Sequence, residues 1–197
     1  MKNLSMDAIA VDSVATVMRR LDVWWAVAGG WAIDLWFGEQ TREHHDVEVA
    51  VRRDDQTRIW EALHNDWELL CLDPPGSEWR QWNPSTRIAP PSFQVKVRAS
   101  SFEFDLFLES TIDDMWIFRR DDRVRRSLDE LTATRSGIPI VRPEVQLLYM
   151  AKSEELKNEH DFTVASPTLD DESRDWLRRA LTIVDPQHRW LPRLSPA

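Results

Sequence analysis

A chain of 197 residues is long enough for one complete core with an appendage and too short for two ordinary enzyme domains. Hydrophobic residues at 42% and charged residues at 30% make an ordinary water-soluble composition, and no apolar run nears the ~20 residues that span a bilayer, which excludes a membrane protein of the helical kind. The formal charge of −9 argues against a general nucleic-acid binder, which needs clustered Lys and Arg, and suits a small cationic substrate instead.

Met1 to Ala10 lacks the basic start and apolar block of a secretory signal, so a cytoplasmic location is expected. Cys71, the one cysteine, excludes an internal disulfide and a multi-cysteine zinc site; it reads as a small core residue. Eleven tryptophans read first as packing residues, with some available to line a ligand cleft.

Asp7 to Leu21 spaces Ile9, Val11, Val14, Val17, Met18 and Leu21 as one face of an amphipathic helix. Val23 to Ala28 reads as a strand running into a tight turn at Gly29 and Gly30, and Trp31 to Phe37 as a short helix stopped at Gly38. After a polar loop from Glu39 to His45, Asp46 to Val51 alternates. Val47, Val49 and Val51 fall on one side of a strand, and Asp46, Glu48 and Ala50 on the other. Asp54 is placed to cap a helix running to about Asn65, and Trp67 to Leu72 reads as a strand. Asp73 to Pro91, with its prolines, is a loop or flap. Phe93 to Arg98 and Phe102 to Leu108 look like paired strands joined by an Ala99 to Ser101 turn.

Beyond Thr111 the character changes. Trp116 to Phe118 reads as a short strand, and Arg119, Arg120, Arg123, Arg125 and Arg126, interleaved with Asp121 and Asp122, as a solvated basic face. Gly137 and Pro139 punctuate a turn. Pro143 opens a helix expected to reach about Leu156, and a last helix covers about Asp170 to Ile183. The organisation expected is a core over 1–110 and a strand-plus-helical part over 111–197 packed on it.

Two acids at i, i+2 on a strand are common by chance. Asp46 and Glu48 gain weight because Asp105 lies on a second strand among Phe104, Leu106, Phe107 and Leu108, where an unpaired charge is expensive. Mg²⁺ suits three such acids, since it prefers carboxylate oxygens and bridges to phosphates. The alternative is that Asp46 and Glu48 face solvent while Asp105 pairs with an arginine. Glu103 competes with Asp105 for the role, and the apolar flanks of Asp105 place it deeper.

The run Ala28-Gly29-Gly30-Trp31-Ala32-Ile33-Asp34, then Gly38, Thr41-Arg42, His44 or His45, and Asp46-Val47-Glu48-Val49 resembles the signature of antibiotic nucleotidyltransferases. The likeness is to the aminoglycoside 2''-adenylyltransferase and lincosamide nucleotidyltransferase group of the DNA polymerase β superfamily. It continues through Gly137-Ile138-Pro139, Pro143-Glu144-Val145-Gln146-Leu147-Leu148, Lys152, Lys157 and Asp161-Phe162.

That resemblance implies an α+β fold, a polymerase β-like nucleotidyltransferase core of mixed sheet flanked by helices with a mainly helical C-terminal part. It implies Mg²⁺ and a nucleoside triphosphate, ATP, as co-substrate, with a small cationic hydroxylated acceptor such as an antibiotic. Backbone N–H groups at Gly29 and Gly30 would hold phosphates. Asp46, Glu48 and Asp105 would bind metal, with Asp105 as general base toward the acceptor hydroxyl.

Arg42 becomes a phosphate contact, against a surface ion pair with Glu43 or Glu39. Lys152 becomes a point charge on the triphosphate, against an exposed helix lysine. Asp34 is expected to be solvated, and His44 and His45 are not expected to bind zinc. Glu48 stands where many members of the group have aspartate. The acceptor remains open between an antibiotic, a tRNA or protein target as in toxin-like relatives, and none at all in a silent nucleotide binder; a homodimer sharing one cleft is also left open.

Overall fold

The computed structural model describes residues 6–99 and 102–194. Helix α1 (Met6–Met18) precedes strand β1 (Trp25–Ala28) and helix α2 (Gly29–Phe37). Strand β2 (Glu48–Arg52) passes through a 3-10 turn at Arg53–Asp55 into α3 (Gln56–Leu63) and then β3 (Glu68–Cys71). The proline-rich loop contains a two-residue strand, β4 (Arg80–Gln81), before β5 (Gln94–Ala99) and the long β6 (Phe102–Ile112). There follow β7 (Met115–Ile117), β8 (Arg125–Ser127), the single turn α4 (Leu128–Leu131), β9 (Thr132–Arg135) and β10 (Ile138–Val141). Helices α5 (Pro143–Met150), α6 (Leu156–Ala165) and α7 (Asp171–Val184) complete the order.

The strands form one mixed sheet in the order β4-β3-β5-β6-β2-β1-β10-β9, with β7 paired to β6 and β8 to β7. The pairs β2·β6 and β1·β10 are parallel and the others antiparallel, an α+β arrangement as expected. Strands β9 and β10 lie beyond position 110 and yet belong to the same sheet as β1.

Alternation along the strands divides the sheet into two unlike faces. On one, Val27, Val49, Val51, Val95, Val97, Phe104, Leu106 and Leu108 pack under α1 (Val11, Val14, Met18) and α3 (Ile59, Leu63). Burying such side chains contributes about 1.5–3 kcal/mol each, so this face carries a large share of the stability. On the other, β1 and β2 offer the small Ala26, Ala28 and Ala50 to Ile33 of α2, Val145 and Leu148 of α5, and Leu177 and Leu181 of α7, with Val141 of β10 and Trp116 of β7 in the same cluster. Small residues leave room above the sheet there.

Several expectations change. Gly29 and Gly30 begin α2 instead of forming a separate turn, and Gly38 ends it at φ 97°, its N–H donating to the Asp34 carbonyl. Asp54 does not cap α3; it pairs with Arg87, and the 3-10 turn leads the chain into the helix. The helix from Pro143 stops at Met150, and α6 is a separate element, so Lys152 sits in the turn between them. Ser136 (φ 50°) and Gly137 (φ 76°) make the two-residue turn of the β9–β10 hairpin, with Pro139 inside β10. The expected turn around 99–101 includes residues outside those described. Among the described residues, no helix is long and apolar enough to cross a membrane.

Candidate active site

Registered neighbours on adjacent strands point to the same side of a sheet. Glu48 is paired with Ala28 on β1 and with Asp105 on β6, and Asp105 in turn with Lys96 on β5. The row Lys96, Asp105, Glu48, Ala28 therefore crosses the sheet on its small-residue face. Asp46 stands exposed two residues ahead of Glu48, just before the strand begins. Asp46, Glu48, Gly30 and Gln94 line a cavity of about 440 Å³ between this face and helices α5 and α6.

Burial, followed by repulsion from Asp46 and Asp105, pushes the Glu48 carboxyl up to about 7, against the pull of Lys157 and Arg119. Asp105 is only 4% exposed and is the deeper of the two competing acids, while Glu103 is exposed and paired with Lys96 and Arg98. Gln94 Nε2 donates to Asp105 Oδ2 at 2.8 Å. Lys96 Nζ stands 3.1 Å from Oδ1, an ion pair that lacks good hydrogen-bond direction. In the alternative reading Asp105 has an arginine partner; the cation beside it is this lysine.

The structure thus sets Glu48 beside Asp105 and brings Asp46 within electrostatic reach. Among the described residues no three His, Cys, Asp or Glu side chains stand close enough to hold one metal ion. Hard carboxylate oxygens that repel one another in a cleft nonetheless form the donor set a divalent cation relieves. Asp46 and Glu48 fit such an ion; Asp105 has both oxygens engaged by Gln94 and Lys96.

The two glycines make room for the protein's own side chains. A Cβ on Gly29, whose φ is +65°, would lie 1.7 Å from Glu48 Oε2, and one on Gly30 would lie 2.2 Å from Arg42 Nη2 and 2.5 Å from His44 Cε1. The Gly29 N–H donates to Gln146 Oε1 at 2.9 Å, so it is already used within the protein. Gly30, in the first turn of α2, has the position of an anion-binding donor facing the cavity.

Arg42 lines the cavity with its guanidinium committed to the carboxylate of buried Asp161, Nε and Nη2 each donating at 2.8 Å. Neither Glu43 nor Glu39 supplies that pairing carboxylate. Lys152 lines the cavity from its exposed turn. Asp34, expected in solvent, is 2% exposed: Thr41 donates to Oδ1 and His44 Nε2 stands at Oδ2, both at 2.6 Å. Asp34 and Asp161 together fix the loop from Thr41 to Asp46.

Other cavity residues had no role in the sequence reading. Glu109, four places after Asp105 and so on the same face, accepts from Trp116 Nε1 at 2.8 Å and from Tyr149 Oη at 2.5 Å. Burial and the Glu109 charge hold the Tyr149 phenol well above its ordinary range. Arg119 lies 3.3 Å from Glu109 with its guanidinium 3.9 Å from the Phe93 ring centroid and 4.3 Å from that of Tyr149. The basic stretch is therefore not one solvated face. Arg119 and Arg120 enter the cavity lining, Arg126 pairs with buried Glu144, and Arg123 stays outside with Asp121. With Arg42, Lys152 and Lys157 also lining it, the cavity does not share the negative balance of the whole chain.

The fold has been seen in solved structures. The lincosamide antibiotic adenylyltransferase LnuA, lincomycin-bound, superposes with a TM-score of 0.58 at 14% identity, over 85% of this chain and 100% of its own. ANT(2'')-Ia, described as an antibiotic-resistance factor, matches in its solution structure with a TM-score of 0.60 at 12% identity, over 90% and 91%. Its complex with adenylyl-2''-tobramycin gives 0.57 at 10% identity, over 91% and 99%. No curated protein matches the chain by sequence. The protein has the polymerase β-like nucleotidyltransferase fold. Within that class, residues 10–71 match the family model described as aminoglycoside-2''-adenylyltransferase, which bears out the resemblance to antibiotic nucleotidyltransferases.

Proposed function

We propose that the protein is a Mg²⁺-dependent nucleotidyltransferase that moves AMP from ATP onto a hydroxyl of a small molecule of the antibiotic type. The observation that supports it most is Glu48: a cavity-facing carboxyl held up to about 7 between two other acids, packed against the glycine that opens α2. Asp46 and Glu48 would hold the metal. When bound, the ion supplies positive charge to the triphosphate and to the departing pyrophosphate.

The remaining roles belong to the chain itself. Gly30 N–H, Lys152, Lys157 and Arg119 line the cavity and would meet the triphosphate there. Arg42, tied to Asp161, positions the loop that carries Asp46. Asp105, beside Glu48, takes the proton of the acceptor hydroxyl as its oxygen bonds to the α-phosphorus and the bond to pyrophosphate breaks. Use of ATP accords with a cytoplasmic location.

The comparison proteins act on lincosamide and aminoglycoside antibiotics, and both classes belong in the test. The expectation of a cationic acceptor rested on the family resemblance and on net charge, and the cations lining the cavity weaken the second ground. Purified protein with labelled ATP and Mg²⁺ is offered lincomycin, tobramycin or total tRNA. Label on a small molecule, lost in Glu48→Gln, is the expected result. Label on tRNA replaces the acceptor class, and nucleotide binding indifferent to Mg²⁺ with no product marks a silent fold.

A further inference from the structure

Lysine side chains are rarely buried without a partner, and Lys96 is only 13% exposed in its side chain. Its ammonium stands 3.1 Å from Asp105 Oδ1 and 3.2 Å from Glu103 Oε1, and 5.3 Å from the ring centroid of Trp79 in the proline-rich loop. Burial opposes its charge, while the two carboxylates more than restore it. Register on the sheet forces this meeting: Lys96 is the direct neighbour of Asp105, as Asp105 is of Glu48. Gln94 holds the other oxygen of Asp105 independently.

We propose that Lys96 is a built-in counter-cation that occupies Asp105 in the metal-free protein and passes to Glu103 when a divalent ion takes its place. This rests on the proposed reading that Asp46 and Glu48 hold that ion, with Asp105 Oδ1 joining them only once Lys96 has left it. Without any positive charge, the acids of this row would repel one another at close range in a partly buried site. A lysine suits the duty because its ammonium is a point charge on a flexible stem, whereas arginine would demand a fixed, forked geometry. Lying between two carboxylates at nearly equal distance, Nζ changes partner by a small movement. Gln94 keeps Asp105 oriented meanwhile. Lys96 is a positioning residue, acting through Asp105, and it competes with the metal it prepares for. Because Trp79 covers the same ammonium, the proline-rich loop is linked to the state of the acid row.

Binding of Mn²⁺ to the full-length protein, followed by the electron paramagnetic resonance of the free ion, tests this without turnover. Lys96→Met and Lys96→Gln remove the competitor, and each is expected to tighten Mn²⁺ binding at least about fivefold, the lower end of ordinary coupling between two sites. Lys96→Arg keeps the competing charge, in a geometry less able to move aside, and does not tighten Mn²⁺ binding. The metal-free Met and Gln variants melt below wild type, and Mn²⁺ restores them. Equal or weaker Mn²⁺ binding in both neutral variants overturns the proposal while leaving the metal site intact. If the wild type does not bind Mn²⁺, or Glu48→Gln binds it equally well, the metal site fails and the proposal with it.

Discussion

The two faces of the sheet are built from the same strands, one residue out of step, and they spend their residues differently. Under α1 and α3 the strands present large apolar side chains with no polar duty, and the space is filled. On the side of α5 and α6 they present Ala28, Ala50, Glu48 and Glu109, which leave an opening and place charge in it, with Asp105 buried beside Glu48 at its edge. A burden of repelling acids is tolerable on one face because the other is closed so thoroughly. Stability and chemistry are thus assigned to alternate residues of a single segment, Val47 to Val51.

Exchanging the two faces experimentally breaks the comparison most sharply. Glu48→Gln should lower nucleotidyl transfer by at least about 100-fold, as removal of a principal electrostatic contributor does, with the melting temperature unchanged or raised. Leu106→Ala, one residue from Asp105 on the opposite face, should destabilise by about 2–5 kcal/mol in denaturant titration while activity per folded molecule persists. If Leu106→Ala lost activity without losing stability, the division of labour would be wrong.

Acidity sharpens the same contrast. Glu48 titrates at about 7 in the fold against about 4.5 when unfolded, so its effect on metal-free stability is most favourable below about pH 4.5. That contribution, at most about 3 kcal/mol, is lost as pH rises through 7, and Mg²⁺ should flatten the dependence. Melting curves between pH 4.5 and 8, with and without Mg²⁺, would show it; a metal-free profile without a decline over this range refutes the shift. The smallest effect is expected away from both faces: Arg123→Ala, an exposed partner of Asp121, should change stability by less than about 0.5 kcal/mol.

How far the sequence carried follows from what is local. The alternation at Val47, Glu48, Val49 and the apolar pair of strands around Asp105 are patterns of adjacent residues, and each appears in the structure where spacing put it. Strands β9 and β10 were missed because each has four residues and Pro139 argues against a strand interior. The break at Met150 carries no glycine or proline, so nothing in the local pattern ended the helix. The partners of Arg42, Asp34 and Lys96 depend on register or on distant helices, which hydrophobic period does not encode. Asp105 is the deeper of the two acids, as its apolar flanks suggested, but the lysine across the strand was invisible until β5 and β6 were aligned.

Arg42 and Asp161 are 119 positions apart, and Gly29 and Gln146 are 117. The stretch that matches the family model ends at residue 71, so both of its anchor points reach for a counterpart well outside it. A fragment carrying only that stretch would keep the letters and lose the grip on the loop that ends at Asp46. Grafting the segment onto another scaffold would therefore need a carboxylate and an amide delivered from elsewhere, at the places Asp161 and Gln146 now hold.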